Sequence, residues 1–140
     1  MPDLEAISCV RAGDLEALRA WLDGAGFARL ELDGAGVAGA RALWDTAAAQ
    51  LPIPPSIAPH SWDSFKDAMF EAVTSLGAPN VALVWTAIAD LVAADLQDLL
   101  VAASVLEHLS TEMVRDHAVR FLVFAVGEGH GYRSLDEFAL

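Results

Sequence analysis

Asp63, Asp67 and Glu71 recur at four-residue intervals within the segment Ser61–Leu76, with Lys66 and Phe70 beside them. On an α-helix this spacing puts all three carboxylates on one flank. Like charges four apart cost a helix about 0.2–0.5 kcal/mol per pair, so the row does not stabilise the fold, apart from the favourable field of a helix N-terminus on Asp63. What it can do is offer negative charge to the cations of a partner. Phe70 lies about 20° around the helix from Asp63 at roughly 100° per residue. An aromatic among carboxylates is the mixture of anchor and charge found in protein interfaces, although the edge of the core is an alternative place for Phe70.

Other chemistry finds little support. His60 and Asp63, three residues apart, would suit proton transfer, but neither a nucleophile nor an oxyanion donor accompanies them. His60, His108, His117 and His130 are scattered, without the spacing of a zinc site. Gly34-Ala35-Gly36 and Gly127-Glu128-Gly129-His130-Gly131 match neither a dinucleotide fingerprint nor a phosphate loop with its lysine. The single cysteine, Cys9, has no partner for an internal disulfide and no evident base. The sequence therefore reads as a binding protein and not an enzyme, with no cofactor and no metal site.

The acidic row needs a helix and something to hold it. Ser61 is a suitable N-cap, and Trp62, Phe65, Met69, Ala72, Val73 and Leu76 recur on the opposite, inward face. Ahead of it Pro52, Pro54, Pro55 and Pro59 stiffen the loop, which lowers the entropy a partner must remove from the Ile57–His60 stretch on docking. Upstream, residues 14–25 form an amphipathic helix with Asp14 as its candidate N-cap. Phe27–Asp33 alternates as a strand, and a second helix runs from about Ala38 to Leu51. Downstream, Val81–Thr86 and Ala118–Val126 are near-continuous apolar runs of strand length, separated by a single helical turn at Ile88–Val92 and a helix at about Asp95–Leu109. The tail GEGHGYRSLDEFAL carries a capping-like Ser134 and is expected to dock as a short turn or to remain loose. Strands that alternate with helices at these intervals require crossovers, so the fold class is α/β, a three-stranded parallel sheet flanked by helices with an extra N-terminal helix.

Composition limits the partners. The chain has 140 residues, enough for one domain with a real core. A net charge of −12 and a pI near 4.4 repel phosphate backbones and anionic lipid, so neither nucleic acid nor membrane is the expected partner. Acidity serving only solubility is the alternative. Mean hydropathy is +0.41, yet the longest apolar run, Val81–Ala89, ends at Asp90, well short of the roughly 18–20 residues of a span. The start MPDLEAISCV lacks the basic n-region of a secretion signal, and a cytoplasmic location is expected.

Leu32-Asp33-Gly34, the stretch Ser61-Trp62-Asp63-Ser64-Phe65-Lys66-Asp67-Ala68-Met69 and Leu83-Val84-Trp85 together resemble the barstar family, small acidic inhibitors of secreted bacterial ribonucleases. The resemblance covers about residues 27–126, leaving residues 1–26 as an N-terminal helical extension and 127–140 as a tail. The family pattern at the acidic helix is roughly G-x-N-W-D-A-L-x-D-x-L after a Pro-aromatic-aromatic loop. Trp62, Asp63 and Asp67 match it, while Pro59 and Ser61 replace Gly and Asn, Ser56-Ile57-Ala58 replaces the aromatic pair, and Lys66 lies between the acids. The resemblance implies an immunity-type inhibitor whose helix carboxylates stand in for substrate phosphate among the Arg, Lys and His groups of a basic ribonuclease. The expected partner-binding residues are Ile57, His60, Asp63, Lys66, Asp67, Phe70 and Glu71. The alternative is a barstar-fold interaction module that has lost or changed its nuclease target.

Overall fold

The computed structural model describes residues 5–138. The first four and last two residues, part of the N-terminal extension and the tail expected above, lie outside the described residues. Four strands, β1 (Ile7–Arg11), β2 (Ala28–Asp33), β3 (Asn80–Thr86) and β4 (Arg120–Gly127), form one sheet in the order β1-β4-β3-β2. All three pairings are parallel, as helical crossovers require. The α/β architecture is the expected one, but the sheet has four strands where three were expected. Ile7-Ser8-Cys9-Val10-Arg11 is short and mixed in polarity, so it carries little strand signal of its own. It becomes a strand by pairing with β4, in the register Ile7 to Val123.

Side chains alternate across the sheet. Ile7, Val123, Leu83 and Leu30 follow one another across all four strands. They face the main core with α2 (Ala40–Gln50), α3 (Trp62–Thr74), α4 (Ala89–Ala94) and α5 (Leu96–His117). The opposite face presents Val10, Ala82, Val84, Leu122, Phe124 and Val126, covered by Leu18 and Leu22 of α1 (Leu15–Gly24) and by Phe138. Helices on both faces explain why β3 and β4 are apolar without alternation.

One helix ends differently from its sequence reading. α5 continues to His117, eight residues past the expected Leu109, because Met113 extends the buried row of Leu106 and Leu109. The helix stops at Ala118, whose left-handed φ of 55° turns the chain into β4. The tail docks. Tyr132 packs against the main core and leaves no room for a side chain at Gly127, where a Cβ would lie 2.7 Å from its ring. Arg133 then pairs with the open edge of β1, its N–H donating to the Cys9 carbonyl at 3.1 Å and its carbonyl accepting from the Arg11 N–H at 3.0 Å. Phe138, at the end of the 3-10 turn Leu135–Phe138, reaches the second core. Asp14 stands at the N-cap position of α1 but makes no cap bond; its carboxylate accepts from the tail, at Leu135 N–H.

Candidate functional site

Two serines fix the start of α3. Ser61 Oγ accepts from the Ser64 N–H at 3.1 Å, and Ser64 Oγ accepts from the N–H groups of Ser61 and His60, each at 2.9 Å. This reciprocal cap satisfies several donors that a helix start leaves open and sets the direction of the first turn. Ser61 was legible as the cap. Ser64, three positions later where a Glu or Gln is usual, was not.

The inner face of α3 is anchored by Phe65, Ala68, Met69, Ala72 and Val73, all buried. Trp62 is half-buried and forms an edge-to-face chain, with Trp44 at 5.3 Å and Phe65 at 5.7 Å between ring centroids. Trp85 is buried within β3. With one face held in this way, Asp63, Asp67 and Glu71 are exposed. Among the described residues, none of the three side chains takes part in a hydrogen bond or an ion pair. The row is a preformed, uncompensated set of carboxylates on a helix that cannot easily rotate.

Lys66 is turned away from that row. Its Nζ donates to Oε1 of Glu112 on α5 at 2.6 Å, across 46 residues of sequence. The lysine holds the Glu112 carboxyl below its ordinary range, helped by the charges of Arg115 and His108. No local pattern could have announced Glu112, because the contact depends on how α5 packs against α3. Phe70 is half-buried; it packs on the main core and meets the His117 ring edge-to-face at 5.0 Å. Ile57, in the 3-10 turn Pro55–Ile57, is likewise half-buried against that core. His60 is exposed and lines a cleft of about 330 Å³ with Ala40, Arg41, Trp44, Asp45 and Pro59. The seven residues singled out above thus fall into two groups: an outward set of His60, Asp63, Asp67 and Glu71, and a set of Ile57, Lys66 and Phe70 with internal partners.

The family model for barstar, the barnase inhibitor, matches residues 27–126, more than half of the chain. The chain belongs to the barstar family. The match spans β2 to β4 and includes the whole of α3; β1, α1 and the tail lie outside it. Comparison with curated proteins and with solved structures gives no match. Barstar-family membership makes this a barnase-inhibitor-like protein, and its helix acids lie within the matched region. Among the described residues, no helix is long and apolar enough to cross a membrane.

Proposed function

We propose that this barstar-family protein binds a basic ribonuclease and blocks its active site stoichiometrically, with Asp63, Asp67 and Glu71 as the principal contacts. The observation that carries this reading is the exposed, internally unpaired row of carboxylates on a helix whose start is fixed by a reciprocal serine cap. Charges already held in place need little reorganisation on binding, and they can occupy the positions of substrate phosphates among the enzyme's cations. The net charge of −12 favours encounter with a basic protein. His60 and the Ile57–His60 loop would form the adjoining contact at the helix start. Phe70 and Lys66 would touch the partner only along their exposed edges.

The test is inhibition of a basic ribonuclease, chosen by pull-down from the parent organism, with wild-type protein and Asp67→Ala. The variant should bind more weakly by about 2 kcal/mol or more, roughly 30-fold in Kd. Its melting temperature should stay near that of the wild type, because Asp67 has no internal partner among the described residues to lose. Equal inhibition by both proteins would reject the site. A second reading, a fold redirected to another protein, gains from Ile57 lying against the core where an aromatic contact would be needed. Capture of a non-nuclease protein, lost with Asp67→Ala, would support it.

A further inference from the structure

The Lys66–Glu112 pair has the properties of a device that keeps the acidic row uncovered, and we infer that Glu112 is a positioning residue holding Lys66 away from Asp63. Lys66 follows Asp63 by three residues on α3, so the two side chains are helix neighbours, with the acid N-terminal to the base in the favoured order. Left to its own helix, Lys66 would find Asp63 as its nearest carboxylate and neutralise the first member of the row. Instead its Nζ lies 2.6 Å from Glu112 Oε1, with side-chain exposures of 32 % and 37 % that leave the pair only partly open to water. The neighbouring Arg115 makes its hydrogen bonds to Asp116, at 2.9 Å from each guanidinium nitrogen involved, and reaches Glu112 only through its charge, so Lys66 is the cation hydrogen-bonded to Glu112. α5 therefore supplies the charge that allows a lysine to sit within an acidic binding face without cancelling it. The consequence for binding rests on the function proposed above; the position of Lys66 does not.

Two measurements separate these claims. In the free wild-type protein, nuclear Overhauser contacts should join the Lys66 ε-methylene to the Glu112 γ-methylene. In Glu112→Gln they should appear between Lys66 and the Asp63 β-methylene. A lysine that stays beside position 112, or that contacts neither residue, overturns the positioning role. The second measurement is the association rate with barnase at low salt, comparing Glu112→Gln with Glu137→Gln. Both variants lose one negative charge, but Glu137 lies on the tail's final turn, whose Phe138 packs on the other face of the sheet. Glu112→Gln should associate about threefold more slowly than Glu137→Gln, beyond the effect of net charge alone. Lys66→Met/Glu112→Gln should recover that rate. Equal rates in the two single variants, or no recovery in the double variant, overturn the claim that Lys66 masks the row. If wild-type protein fails to bind barnase, the proposed function fails for that target, and the contacts in the free protein still decide where Glu112 holds Lys66.

Discussion

Gly34 shows how little freedom a single residue has where β2 ends. A Cβ there would lie 2.8 Å from Trp85 Nε1 and 2.9 Å from the Thr86 carbonyl, and the Gly34 N–H already donates to that carbonyl at 2.8 Å. Because Trp85 is 2 % exposed and the carbonyl belongs to a central strand, neither can retreat easily. Gly34→Ala should therefore destabilise the fold by about 1–3 kcal/mol in urea unfolding, through overpacking. An unchanged midpoint would mean that the loop yields. The residue type was legible as a turn signal, but its reason was not: the crowding comes from β3, more than fifty residues away. Asp63, Asp67 and Glu71 stand at the opposite extreme. Their spacing alone put them on one flank, and their exposure follows from the apolar residues that claim the other.

At the scale of the element, α3 combines a strong start with a costly row of like charges. Ser61→Ala removes the hydroxyl that accepts from Ser64 and should cost about 1 kcal/mol by thermal or chemical unfolding. The same substitution should weaken ribonuclease binding, because the cap also fixes the turn that aims Asp63. A loss of stability with unchanged affinity would show that the first turn is set by Trp62 and Phe65 instead. The helix and its inward face could be read from periodicity. The end of α5 was legible as well, because Met113 follows Leu109 by four residues and keeps the apolar row in helical register, so a helix ending at Leu109 stops the pattern one turn short. Ser110 is placed by its bond to the Phe121 carbonyl at 2.6 Å, a contact made only once β4 is in position.

At the scale of the molecule, the family match and the folded unit do not end at the same residues. Residues 27–126 hold the acidic helix and three strands, but α1 and the tail supply the cover of one sheet face. A chain cut to 27–126 would bare Ala82, Val84, Leu122, Phe124 and Val126. At about 1.5–3 kcal/mol for each large apolar side chain returned to water, that loss is comparable with the whole stability of a domain. The truncated chain should aggregate or lose its cooperative melting transition by circular dichroism; a full-length-like transition would show the extension to be dispensable. The whole-molecule charge makes a separate prediction. As in the barnase–barstar pair, the reference case of charge-steered association, the rate of ribonuclease binding should fall about tenfold or more from low to high salt. A flat profile would argue against steering. The sequence by itself determined the alternation of strands and helices, the crossovers and the acidic flank, because each depends on spacing along the chain. Only the tertiary structure decided that Ile7–Arg11 is a strand, that the tail closes its edge and that Glu112 draws Lys66 aside, because each depends on a partner far away in sequence.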